Sequence, residues 1–306
     1  MKSIMYHYIQ SYETKLKNFE FLHYKNFEKQ LSFFERKYDF FDCHELFEKY
    51  NFLRKKIFLT FDDGLSCHFN YVFKILKKKN INGIFYIPTL PYKTGKILNV
   101  HKVHLIIGKI GALKAFEELQ KIIIKNKNFV DKKLQVKYQN KIYKEQKNFF
   151  YSQHFKSYLN YFIKKEYRSI VIGRLFKKIF NNDEKKISKK FYLNEKQIKH
   201  MINENMIIGS HSVSHKLMSE LSLKDMRQEI DQSFAFINSF TKEKTFSYPY
   251  GGNHTFNKNT ENYLSKKKVS FSMSVDNRDI MRNDLIKKRQ ALPRIDCNFF
   301  PYGKIN

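Results

Sequence analysis

Thr60-Phe61-Asp62-Asp63-Gly64 places two adjacent carboxylates at the tip of Lys56-Ile57-Phe58-Leu59-Thr60-Phe61, a compact run of strand formers. Neighbouring side chains alternate in direction along a strand, but at its frayed end both can face one cavity. Asp-Asp-Gly is also common turn chemistry, so this pair alone does not separate a site from a turn. His211-Ser212-Val213-Ser214-His215 follows a second strand-like run, Met206-Ile207-Ile208-Gly209. Imidazoles at i and i+4 lie on one face of a helical turn, a usual way to chelate a divalent ion. Two exposed polar histidines are the plainer alternative. Two His plus one carboxylate, with positions left open, form a catalytic metal set. With Asp63 as that carboxylate, Asp62 is free to act as general base. A coordinated carboxylate is a poor base, which is why such a site needs two.

Both motifs follow predicted strands, so they converge on one end of a sheet. The segment from Ile4 to Phe61 reads strand, helix, strand, with Ile4 to Tyr8 as a short apolar-aromatic strand and helical periodicity from Tyr24 to Tyr38. A helix over Phe69–Lys79 and a buried strand over Gly83–Pro88 follow. Strand–helix–strand with acidic residues at the strand's carboxyl end is the grammar of a parallel α/β sheet or barrel. From about 95 to 194 the texture is Lys-rich and helical in period, interrupted at Asn181-Asn182-Asp183; it reads as a helical insertion or cap within a single domain spanning 1–306. α/β texture then resumes: helix Asn194–Glu204, the strand before His211, helix Ser222–Thr241, and short strands at Lys244–Tyr248, Val269–Val275 and Ala291–Ile295.

Taken together, these motifs resemble the polysaccharide deacetylase (NodB-homology) family, carbohydrate esterase family 4. Thr60 to Gly64 is similar to the family's first motif, in which the first Asp is the base and the second a metal ligand. His211 to His215 fits its H-[ST]-x-x-H motif, both histidines being ligands. Phe246-Ser247-Tyr248-Pro249-Tyr250-Gly251 resembles the third motif, whose Tyr backbone N–H helps hold the oxyanion, here Tyr250. Leu292-Pro293-Arg294-Ile295 resembles a late segment of one branch. The resemblance implies an α/β fold, a distorted (β/α)7 barrel, with the helical insertion accounting for the long separation of the first two motifs. It also implies a divalent metal at Asp63, His211 and His215, with zinc the default for such ligands. Two departures stand out. Ser247 occupies a position where many members carry an Arg that orients the base; Arg278 and Arg294 are candidates to replace it. No His stands near Leu292 to Ile295, where the family often supplies a general acid; His68 and His254 are the candidates read from the sequence.

Composition bounds the rest. The 306 residues are long enough for a full core, and 58 Lys+Arg against 29 Asp+Glu give a net charge of +29. The lysines are spread along the chain beside abundant Asn, Ile, Phe and Tyr, as biased codon usage would write them, and no nucleic-acid module is present. No nucleic acid is therefore expected as a partner; a basic surface, if used, suits an anionic membrane face or a phosphate-bearing glycan carrier. Three widely spaced cysteines make no disulfide framework. No secretory signal or run of about 18 apolar residues is seen, so a cytoplasmic enzyme is expected, with peripheral contact to an anionic membrane as an option. The expected reaction is removal of an N-acetyl group from an acetamido sugar. Hydrolysis of another amide or ester on the same barrel, or a decayed basic glycan- or membrane-binding protein, are the alternatives.

Overall fold

A computed structural model describes residues 1–48, 55–139, 150–181 and 183–304. The chain divides into two compact units, one of Met1–Ser11, Phe21–Gly95 and Ser188–Asn306, the other of Tyr12–Glu20 and Lys96–Ile187. Among the described residues the first unit contains the strands β1 (Lys2–Tyr6), β2 (Ile9–Gln10), β3 (Leu22–His23), β4 (Asp39–Phe40) and β5 (Lys56–Phe61). It continues with β6 (Ile84–Ile87), β7 (Ile207–Ser210), β8 (Thr245–Ser247), β9 (Phe271–Met273) and β10 (Ile295–Asp296).

The main sheet is parallel throughout, in the order β10-β1-β5-β6-β7-β8-β9, with β4 added beside the start of β5. It curls back on itself. β10 pairs with β1, while Leu292 just before it bridges Met273 in β9, and the backbone N–H groups of Leu292 and Arg294 donate to Ser272 and Ser274. The result is the distorted (β/α)7 barrel, with β2 and β3 forming a separate parallel pair. β6 and β7 are buried at every position and β5 at all but its first residue, as expected for near-continuous apolar runs covered on both faces. Gly209 lets β7 approach β6: a Cβ there would stand 2.6 Å from the Tyr86 ring and 2.7 Å from Thr245 Cγ2.

Helices cross back over the sheet between strands. Glu195–Asn203 leads into β7 from a capping box in which Asn194 and Gln197 satisfy each other's backbone N–H. Leu223–Ile237 follows the histidine loop and is capped by the Ser222 side chain on Asp225 N–H. It is shorter than the sequence periodicity suggests, ending before Thr241. The predicted helix over Phe69–Lys79 is present, its first part, His68–Phe73, wound as a π-helix that runs on into the α-helix Lys74–Lys78. The predicted first strand is displaced: it ends at Tyr6, which leaves His7 and Tyr8 beyond the strand rather than inside it.

The second unit is helical, with Asn99–Ile110 and Ala112–Lys125 joined at Gly111 and followed by Lys132–Tyr138, Phe150–Ser157 and Lys165–Phe180. Lys102 is 7% exposed and its ammonium pairs with Glu184 at 2.8 Å. The unit takes in Tyr12–Glu20, which the expected boundaries of 95–194 do not contain, and leaves 188–194 to the barrel unit. Of the Asn181-Asn182-Asp183 interruption, Asn181 ends a helix in the left-handed region and Asn182 lies outside the described residues. No helix among the described residues is long and apolar enough to cross a membrane.

Candidate active site

Asp62, Asp63 and His211 stand at the carboxyl ends of barrel strands, within the first unit. Asp62 and Asp63 follow β5, and Asp63 takes a positive φ of 81°, so the chain turns sharply between them. His211 follows β7 directly. The five residues His211–His215 are not the helical turn expected from i,i+4 spacing: Ser212 and His215 have φ of 62° and 54°, and the segment is an irregular loop. Two left-handed residues bring the imidazoles together where a helix would have used its pitch. The Ser212 side chain accepts the His215 N–H at 3.1 Å, and Glu229 accepts Val213 N–H at 2.9 Å, Ser214 N–H at 2.8 Å and the Ser214 hydroxyl. Each hydrogen bond to a charged acceptor is worth about 1.5–3 kcal/mol, enough to offset such backbone strain.

Asp63, His211 and His215 are all buried, and each offers a donor atom within 4.8 Å of the others. Both imidazole Nε2 atoms face Asp63 Oδ1, at 3.5 Å for His211 and 3.6 Å for His215. Donors about 2.0–2.1 Å from a tetrahedral ion lie roughly 3.4 Å apart, so this trio fits a divalent metal. His211 Nδ1 lies 2.7 Å from the Ser247 carbonyl, which makes it the protonated nitrogen and turns the Nε2 lone pair toward Asp63. Burial, more than the opposing pull of Asp62 and Asp63, pushes the His211 pKa down and favours the neutral ligand form.

Asp62 is held differently. Arg294, fully buried, donates from Nη1 to Asp62 Oδ1 at 2.7 Å and from Nη2 to Oδ2 at 2.8 Å. The same guanidinium reaches Ser247 Oγ at 2.9 Å, Thr60 Oγ1 at 3.2 Å and the Ser274 carbonyl at 3.2 Å, and Ser247 Oγ in turn donates to Asp62 Oδ2. Burial opposes ionisation of Asp62, but the Arg294 guanidinium outweighs it and holds the carboxyl at about 2. Of the two candidate arginines, Arg294, from the segment before β10, is the one that holds Asp62, with Ser247 as a hydrogen-bonding partner beside it.

Tyr250, with φ of 63°, packs its ring edge-on to His215 at 4.9 Å. The next residue has to be glycine: at Gly251 φ is 70° and a Cβ would lie 2.4 Å from Val275. Arg278 is engaged elsewhere, by Asp276 at 2.6 Å and by both oxygens of Asp284 at 2.7 and 3.0 Å. His254 packs against Gly252, and its carbonyl accepts the Ser219 hydroxyl. His68 is fully buried between Phe61 and Phe85, and burial takes its pKa down to about 4; its Nε2 donates to the His7 carbonyl at 2.8 Å. The strand-end rule that singles out Asp62 applies equally to His7, which follows β1.

A sequence model described as polysaccharide deacetylase matches residues 49–96 and 159–272. The chain belongs to the polysaccharide deacetylase family, hydrolases that deacetylate glycans. Solved structures agree on the fold. The Streptococcus pyogenes deacetylase PplD, in complex with acetate, superposes with a TM-score of 0.59 at 14% identity, covering 97% of this chain and 91% of its own. IcaB from Ammonifex degensii gives 0.51 at 15% identity over 96% and 90%. A de-N-acetylase from Aggregatibacter actinomycetemcomitans gives 0.50 at 12% over 96% and 93%. No curated protein sequence matches the chain.

Proposed function

We propose that this enzyme removes the acetyl group from an N-acetylated sugar of a glycan or glycan precursor, using zinc held by Asp63, His211 and His215. The observation that carries the reading is the convergence of that ligand trio with a separate, ion-paired carboxylate, Asp62, at one end of the barrel. One likeness is to a protein described as a de-N-acetylase, in keeping with an amide substrate. A net charge of +29 favours an anionic glycan or carrier.

An acetamide is unactivated, so water must lose a proton as it attacks and the tetrahedral oxyanion must be stabilised. A divalent ion in the trio would supply the acidity of the water and polarise the acetyl carbonyl. Asp62 takes the proton. Its bidentate contact with Arg294 fixes the carboxylate plane and keeps it ionised across neutral pH, at the cost of intrinsic basicity. The Tyr250 backbone N–H holds the oxyanion. His7 gives the proton to the leaving amine, its main chain held by the buried, neutral His68. The test is acetate release by purified, zinc-loaded protein from an N-acetylglucosamine oligomer and from a nucleotide-linked N-acetyl sugar. Release that disappears in Asp62→Asn is expected; equal release by the variant, or none from either substrate, overturns the reading.

A further inference from the structure

The histidine loop is held from outside by a residue that belongs to none of the family motifs. Glu229 stands in the second turn of Leu223–Ile237, and its side chain is buried. One carboxylate oxygen accepts the consecutive N–H groups of Val213 and Ser214, and the other accepts the Ser214 hydroxyl. Val213 and Ser214 sit between the two histidines, in a backbone that runs through left-handed conformations at Ser212 and His215. Successive N–H groups in such a turn form an anion-binding concavity, and here the anion is built into the protein. The same helix makes a second contact one turn on, where Ser233 Oγ lies 2.7 Å from Ser210 Oγ at the end of β7.

We propose that Glu229 is a positioning residue that sets the metal affinity of the site by preorganising the His211–His215 loop. This rests on the reading of Asp63, His211 and His215 as ligands. The loop has no regular hydrogen-bond ladder to define it, so the distance between the imidazoles depends on what fixes Val213 and Ser214. With the carboxylate in place the two Nε2 atoms stay within 3.6 Å of Asp63 before any ion arrives. Without it, ion binding has to order the loop as well.

The experiment compares zinc affinity, by competition with a chromophoric chelator, among native protein, Glu229→Gln, Glu229→Ala and Asp231→Asn. Asp231 lies on the same helix but bonds Lys267 and Tyr263, so its change removes the same charge without touching the loop. Loss of a group that orients metal ligands weakens binding about 10–100-fold. Glu229→Ala is expected in that range, Glu229→Gln at about tenfold, and Asp231→Asn unchanged. Hydrogen exchange on the zinc-free proteins should show the Val213 and Ser214 amides losing protection in the Glu229 variants, a readout that needs no metal and no activity. If Glu229→Ala does not fold, Glu229→Gln decides. Native-like zinc affinity in Glu229→Gln, or an equal loss in Asp231→Asn, overturns the proposal while leaving the metal reading intact. A native chain that binds no zinc overturns both.

Discussion

Asp62 is held by a buried ion pair between strand ends, whereas the two histidines ride on an irregular loop whose hydrogen bonds come from a neighbouring helix. The Asp62 side draws on β5, β8 and the segment before β10, all locked into the sheet; its geometry is inherited from the barrel. The ligand side is assembled locally, through left-handed residues and a borrowed carboxylate. A base must keep a fixed orientation and charge, which a bidentate guanidinium supplies. The proposed ligand trio brings three groups from two strands onto one point, which regular structure alone does not do here.

This contrast can be broken at several points. The largest expected effect is at the base. Asp62→Asn should lower acetate release by about 10²–10⁴-fold while zinc content measured on the purified protein stays stoichiometric. Loss of metal along with activity would mean that the two sides are not separable. His7→Ala should cost about 10²-fold in kcat, again with zinc retained; an unchanged rate would remove His7 from the mechanism.

Stability sharpens the comparison next. Arg294→Met leaves Asp62 buried without its partner, and removing one member of a buried pair costs about 3–5 kcal/mol, measurable by urea denaturation. His211→Ala should instead abolish zinc binding with a smaller loss of stability in the zinc-free protein. Similar losses in the two variants would show that the ligand loop is as tightly integrated as the ion pair.

Acidification separates the two sides by pH. The pKa of buried His68 falls from 6.5 to about 4, and that of His211 is lowered as well, so the folded chain favours their neutral forms. The unfolded chain takes up the protons first. Stability from His68 is present above 6.5 and lost as pH falls toward 4, accounting for about 3 kcal/mol. Asp62, depressed from 3.8 to about 2, adds its loss only below 3.8. Urea melts between pH 7.5 and 4.5 that superpose would contradict a buried neutral His68. The smallest effect is expected of Ser247→Ala, about 1 kcal/mol for the hydrogen bond lost beside Asp62, read as a modest shift in Tm.

Much of the centre is legible in the chain because its groups fall next to strands that are continuous apolar runs. Asp62 and Asp63 end one such run and His211 follows another, so a parallel sheet brings them to one end. His7 obeys the same rule but was concealed by aromatic residues that extend the strand-like run past Tyr6. Arg294 was one of two candidate arginines of equal local appearance. It lies beyond the last residue, 272, of the matched family segments, as His7 lies before their first, 49.

What the sequence determined by itself is the family, the barrel and the candidate trio Asp63, His211 and His215, because residue type, order and strand periodicity are local properties. What only the tertiary structure decided is which groups reach Asp62, and how the histidines meet. Arg294 is 232 positions from Asp62, and only closure of the sheet between β9 and β1 brings its guanidinium to that carboxylate while Arg278 is drawn to Asp276 and Asp284. The spacing of His211 and His215 predicts a helical turn; the folded chain uses left-handed backbone and Glu229 instead, since hydrogen bonds from a packed helix can outweigh local preference.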